Sequence, residues 1–327
     1  MSLEAVTRLS DSVVRVLGKN PGQFTLHGTN TYLVGRTNPY LLIDTGEGRP
    51  EYLPLLEHTL LHGAPDVDRQ KPLISDIIIS HWHLDHIGGL PDVLGLLKKL
   101  NSPPPRLHKY PLPPDAVLRT HRKTSSFPEI VASLQSGTFA ASPDGTPFHD
   151  LKHGQVLNGL RVLHTPGHTL DSICLHIPED RALYTADTVL GAGSSVFEDL
   201  ASYMVSLASI LSFVKGDTEP SSLSSDKLYP GHGPVVTSPE RWVAMYIRHR
   251  EEREVQVLDT LSKLAENVSR STMGIVQDLY KDVPEEMWVP ASYSIGMHLE
   301  KLEKDGKVKR TGQHLVERQH IEWILVR

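Results

Sequence analysis

Short apolar runs separated by turn formers open the chain, at residues 13–17, 31–34 and 40–43, with Asn20, Pro21 and Gly22 breaking the first from the second. Runs of this length bounded by such breakers predict a strand meander. After Asp44, Thr45 and Gly46 the spacing becomes helical over 52–61, returns to a strand at 77–79 and is helical again over 91–100. Strands alternating with helices predict an α/β sandwich. Residues 101–154 are rich in Pro and Ser, and only 130–134 suggests an ordered piece. The segment reads as a long surface insertion, with its body at 111–150. Patterning resumes with strands at 161–164, 173–177 and 182–185, a helix at 203–214, a polar loop at 216–226 and a strand at 227–229.

From Pro239 the pattern is helical, over 242–264, 273–280 and 292–304, closed by Asp305 and Gly306, with β-like pieces at 307–310 and 320–326. Three helices and a terminal hairpin are the order of a winged-helix unit. The expected division is therefore 1–238 as one domain and 239–327 as a small winged-helix-like one. Trp242, Trp288 and Trp323 are expected as core anchors of this region rather than stacking platforms.

The chemistry concentrates in His81-Trp82-His83-Leu84-Asp85-His86, which follows the strand at 77–79 and precedes Gly88, Gly89 and a helix. In an extended stretch His81 and His83 point to one side, and His83 and His86 can meet once the chain coils. One loop can thus serve two adjacent metal positions. Imidazole with carboxylate suits zinc, and also manganese or iron. Burying these four groups without a metal would cost roughly 1–3 kcal/mol for each left unpaired. Three further strands run into tight turns carrying a ligand-type residue, at His168, Asp187 and His232. A lone histidine among the 18 of this chain is usually a surface or core residue. In the company of the cluster, these three become candidate ligands.

Asp44 in Leu41-Leu42-Ile43-Asp44-Thr45-Gly46, the cluster at 81–86, His168, Asp187 and His232 stand in the order of the five motifs of the metallo-β-lactamase superfamily, which the chain resembles over about 12–236. The resemblance implies a four-layer αββα sandwich. It implies that His81, His83 and His168 hold one metal and Asp85, His86 and His232 the other, with Asp187 bridging and Asp44 supporting the loop. Two Zn2+ per chain are expected, with Mn2+ or Fe possible. A hydroxide held between ions about 3.5–4 Å apart would be the nucleophile, with Asp85 as the catalytic residue that orients it and takes its proton. Antibiotic-hydrolysing members tend to carry a cysteine where Asp187 stands. The single cysteine, Cys174, lies in an apolar run instead and is expected in the core, which disfavours a true β-lactamase.

The segments 15–22, 26–34, 196–200 and 229–235 resemble the β-lactamase-like protein 2 subfamily, and 299–307 resembles its small C-terminal domain. That resemblance implies endonuclease activity on single-stranded RNA. Fungal relatives with similar motifs look instead like thioesterases that release polyketides from an acyl carrier protein, so an acyl thioester, there or of glyoxalase II type, is the alternative substrate. A non-enzymatic binding module is the third reading, disfavoured by the complete ligand set. Asn30 and Tyr203, in family-like segments, are candidate substrate contacts.

Charge narrows the partners. The 33 Lys and Arg against 39 Asp and Glu give −6, so no overall positive field is available to hold nucleic acid. Arg106, Lys109, Arg119, Arg122 and Lys123 against Asp115 form a local stretch of +4, a candidate phosphate contact. The C-terminal region holds 14 basic and 15 acidic residues, a poor balance for a sequence-specific DNA reader. With one cysteine no internal disulfide can form, and no run of about 18 apolar residues occurs, so an intracellular protein without a membrane span is expected. Glu4 and Asp11 match a transit peptide poorly, favouring the cytoplasm over mitochondria.

Overall fold

A computed structural model describes residues 3–116, 126–217, 224–311 and 317–326. Arg119, Arg122 and Lys123 of the basic stretch, and part of the loop at 216–226, lie outside them.

Strands β1 (Val6–Arg8), β2 (Val13–Leu17), β3 (Asn30–Val34) and β4 (Tyr40–Ile43) form the antiparallel start of the first sheet. Helix α1 (Tyr52–His62) leads to β5 (Ile74–Ile79), parallel to β4. After α2 (Leu84–Ile87) and α3 (Leu90–Lys99), strand β6 (Arg106–Lys109) pairs parallel with β5. Helix α4 (Phe127–Ser133) precedes β7 (Phe148–Asp150), which closes a seven-stranded sheet in chain order. The second sheet has the order β12-β11-β10-β9-β8, built from β8 (Val156–Leu157), β9 (Leu160–His164), β10 (Ile173–Ile177), β11 (Ala182–Ala186) and β12 (Lys227–Pro230), with α5 (Leu200–Lys215) between the last two.

Both faces of each sheet are covered, which is why most strands read as continuous apolar runs rather than alternating ones. The alternation persists in the packing. Leu33, Leu42, Ile77 and Ile79 face α1 and α3, whereas Tyr32, Leu41, Ile43 and Ile78 face Val162, Leu175 and Tyr184 of the second sheet. On the far side Cys174, Leu183 and Leu228 pack against Leu207 and Ile210 of α5 and Val243 and Tyr246 of α6 (Pro239–Ser262). Helices, sheet, sheet and helices make the αββα sandwich. Cys174 is buried, as the apolar run around it requires.

The segment expected as a surface insertion is in part structural: β6 and β7 extend the first sheet, and Ile130 of α4 is in its core. The polar sequence of β6 concealed it. Of Arg-Leu-His-Lys, His108 and Lys109 are buried because Asp76 accepts from His108 Nε2 at 2.8 Å and Asp171 takes the Lys109 ammonium.

The C-terminal unit contains β13 (Arg270–Ser271), α7 (Thr272–Leu279), α8 (Trp288–Lys304), β14 (Val308–Thr311) and β15 (Glu322–Leu325), its three strands in the order β13-β15-β14. Trp323 is fully buried in its core with Ile295, Leu299 and Leu302. Helix α6, about 36 Å long at 1.5 Å per residue, belongs to both units. Val243 and Tyr246 pack on α5, Val257 and Leu261 in the C-terminal core. Among the described residues no helix is long and apolar enough to cross a membrane.

Candidate metal centre

Strand direction brings the motifs to one edge. Because β9 and β11 are each antiparallel to β10, and β12 is parallel to β11, the C-terminal ends of β9, β11 and β12 coincide. His168, Asp187 and His232 follow those ends, as Asp44 and His81 follow the ends of the parallel pair β4 and β5.

Two donor groups result. His81 Nε2, His83 Nδ1 and His168 Nε2 stand 3.0 to 3.3 Å apart. Nitrogens bound to one tetrahedral ion at roughly 2.0–2.1 Å stand about 3.3 Å apart. In the second group His86 Nε2 and His232 Nε2 are 3.3 Å apart, and Asp85 Oδ2 lies 3.5 and 3.1 Å from them. Asp187 reaches both groups, with Oδ1 3.3 Å from His86 Nε2, and Oδ2 3.2 Å from His232 Nε2 and 3.8 Å from His168 Nε2.

The surroundings decide which ring nitrogens are bare. His168 Nδ1 donates to the Val196 carbonyl at 2.8 Å, so its Nε2 carries a lone pair when the ring is neutral. His86 Nδ1 faces Asp44 Oδ2 at 2.7 Å, and His232 Nδ1 faces the Gly28 carbonyl at 3.4 Å. Asp187 Oδ1 is buried without a hydrogen bond. Converging lone pairs and an orphaned carboxylate oxygen fit cations rather than hydrogen bonds. Burial, then the adjacent His168, pushes His83 down to about 3, and burial likewise lowers His81 and His168. In the second group the carboxylates overcome burial, raising His86 well above and His232 to about 9. Those are protons that a bound cation would displace.

Asp44 is the keystone of the supporting layer. Fully buried, it accepts from the Ser80 amide and hydroxyl at 2.8 Å each, from His86, and from the Tyr184 hydroxyl. Ser80 Oγ also meets His81 Nδ1 at 2.9 Å. Gly231 is required where the chain crosses Asp187, since a Cβ there would collide with its Oδ1 and with Ala186.

Asn30 and Tyr203 depart from the expected role as substrate contacts, because both are fully buried. Asn30 Nδ2 donates to the carbonyls of Pro230 and Gly233 at 2.9 Å each, so it shapes the loop that carries His232. The Tyr203 hydroxyl donates to Thr188 O at 2.6 Å, and its backbone packs on Gly167, beside His168. Sequence reasoning missed Ser80, Tyr184 and Ser195 as supports. Only Ser80, next to His81, carried a local signal.

Residues 24–232 match the model of the Metallo-beta-lactamase superfamily, and residues 271–319 that of the Beta-lactamase associated winged helix domain. The chain is 36% identical to a Beta-lactamase-like protein 2 homolog of Drosophila melanogaster, over 94% of this chain and 93% of the relative. It is 34% identical to one of Caenorhabditis elegans, over 94% and 89%. An Atrochrysone carboxyl ACP thioesterase of Aspergillus novofumigatus is also 34% identical, over 82% of this chain and 68% of the relative. A Beta-lactamase domain protein from Burkholderia ambifaria shares the fold, with TM-score 0.66 at 16% identity, covering 98% of this chain and 93% of that one. With ordered motifs at one sandwich edge, a matching winged helix and relatives alike over nearly the full length, the chain belongs to the metallo-beta-lactamase superfamily of metal-dependent hydrolases.

Proposed function

We propose that the chain is a two-metal hydrolase, loaded with Zn2+, that cleaves single-stranded RNA internally. The observation that carries the hydrolytic part is the paired donor set, His81, His83 and His168 beside Asp85, His86 and His232, with Asp187 in reach of both. When bound, two such ions supply an activated water and polarise the scissile group. The rest falls to the chain. Asp85, despite burial, is held ionised by His86 and His232, and its side chain keeps 18% exposure. It is placed to orient the attacking water and accept its proton. The Val196 carbonyl, Asp44 and Ser80 keep the ring nitrogens of His168, His86 and His81 aimed. The RNA reading rests on the resemblance of segments 15–22, 26–34, 196–200 and 229–235 to the β-lactamase-like protein 2 subfamily, and two relatives of that name are alike through the C-terminal unit.

A second reading, hydrolysis of an acyl thioester, is favoured by what adjoins the ligands. Phe24, Leu170 and Val196 are exposed apolar residues on segments next to His232 or His168. Arg106 and Lys109, by contrast, are engaged by Asp76 and Asp171 rather than free for phosphate. The thioesterase relative supports this reading.

Zn2+-loaded protein is assayed on end-labelled single-stranded RNA and on an acyl thioester, with Asp187→Ala and His83→Ala made in parallel and metal content measured by mass spectrometry. RNA cleavage by wild type alone is expected. Thioester turnover with RNA intact would select the second reading. Unchanged metal stoichiometry in Asp187→Ala would sink the bridging role.

A further inference from the structure

Residues 195–199 grip the candidate centre at several points. The Val196 carbonyl accepts from His168 Nδ1 at 2.8 Å, and Ser195 Oγ donates to the main-chain carbonyl of Asp187. The amides of Glu198 and Asp199 reach the Gly167 carbonyl at 2.7 and 3.1 Å. The same segment is held from behind by helices that continue into the C-terminal unit. Arg250 of α6 is 5% exposed and donates from Nη2 to the Ser195 carbonyl at 2.6 Å. Its guanidinium lies 4.8 Å from the centre of the Phe197 ring and 5.9 Å from that of Tyr203. Lys304 of α8 pairs with Asp199 at 2.7 Å.

A guanidinium is expensive to bury when its partner is a neutral carbonyl. Arg250 forms no ion pair among the described residues, and its Nε has no hydrogen-bond partner. The carbonyl it does hold belongs to Ser195, the residue whose hydroxyl meets Asp187 and whose successor fixes the His168 tautomer. A role in folding the C-terminal unit would not require that placement: Arg250 stands between Tyr246, packed on the sandwich, and Val257, in the C-terminal core, yet the carbonyl it holds is on the sandwich side.

We propose that Arg250 is a positioning residue for the metal centre. By fixing Ser195 to Phe197 it keeps the His168 proton on Nδ1 and Nε2 turned toward His81 and His83. The inference rests on the metal reading above and deepens it: the helix shared with the winged-helix unit helps set metal affinity.

The test uses the full chain loaded with Co2+, its affinity measured by competition with a chromophoric chelator and its ligand-field absorption recorded. Circular dichroism and the urea midpoint of the metal-free protein are followed alongside. Arg250→Met should lose about tenfold in affinity for one ion and change the spectrum, and Arg250→Lys, which keeps a donor, should recover part of both. Val257→Ala, which thins the C-terminal core away from the segment, should lose stability and keep affinity. Wild-type affinity in folded Arg250→Met, or an equal loss in Val257→Ala, overturns the proposal. If Arg250→Met does not fold, Arg250→Leu carries the comparison, and wild-type affinity and spectrum in it overturn the proposal. A wild-type chain that binds no Co2+ overturns the metal reading itself.

Discussion

Replacing Asp44 by Asn separates its charge from its shape. The residue has φ +59°, a left-handed conformation that Asn tolerates better than other non-glycine residues, so the backbone is left in place. Oδ2 receives three donors, Ser80 Oγ, His86 Nδ1 and the Tyr184 hydroxyl, while Oδ1 receives the Ser80 amide. The amide of Asn offers one oxygen. Its better orientation keeps the three and turns its NH2 against the Ser80 N–H. The Ser80 N–H and the new NH2 are then both buried without an acceptor, at about 1–3 kcal/mol each, and three charge-assisted bonds become neutral. Removing a buried charge offsets part of this. A net loss of about 2–4 kcal/mol is expected from urea denaturation of the metal-free protein. With the His86 and His81 rings less firmly held, affinity for metal should fall roughly 10–100-fold, read by chelator competition. A variant as stable as wild type and with wild-type affinity would refute the reasoning, because Asp44 would then be a bystander to both rings.

Two further outcomes are expected. Gly231→Ala drives a Cβ into Asp187 Oδ1 and Ala186, so metal content should fall well below that of wild type while circular dichroism is retained; full loading would show that the crossing can relax. Despite its burial, Asp76 is held below the usual carboxylate range by His108, Arg106 and Ser75. With an unfolded value near 3.9, its stabilising contribution is complete above about pH 5 and is lost as pH falls through about 4 toward 2. Urea midpoints should therefore drop less between pH 6 and pH 3 in Asp76→Asn than in wild type, and parallel curves would remove Asp76 from the acid response.

The turns that carry the candidate ligands are legible because each pairs a local apolar strand with a residue type that has no structural reason to end it. His81, His83, Asp85 and His86 needed only their spacing. The supports were not legible, because they join positions that topology alone unites: the Tyr184 hydroxyl reaches Asp44 across 140 residues, and Asn30 reaches Pro230 across 200. Asn30 and Tyr203 stand in family-like segments yet support loops from the interior, and burial is invisible in a polar residue until its partners are known. Strand β6 failed for the same reason. Arg106, His108 and Lys109 look solvent-bound until Asp76 and Asp171 are placed against them.

The two sheets are joined most densely by polar bonds at the edge that carries the candidate ligands. At the metal edge polar bonds cross the sandwich: Asn30 to Pro230 and Gly233, Tyr32 to Pro230, the Ile173 amide to Ser80 O, and the buried Lys109 to Asp171. At the opposite edge, where β4, β5 and β6 begin, the sheets leave a cavity of about 310 Å³ lined by Val34, Gly35, Leu41, Asp76, Arg106 and Ile177, and Asn158 Nδ2 of the second sheet donates to Asp76 Oδ2 of the first at 2.6 Å beside it. Apolar packing between the sheets is non-directional and could tolerate a small slide. Hydrogen bonds cannot, because they weaken steeply with angle and distance. The candidate centre takes His81 from one sheet and His168, Asp187 and His232 from the other, which to act together must agree to about 0.5 Å. Several directional bonds at that edge are what such an agreement demands.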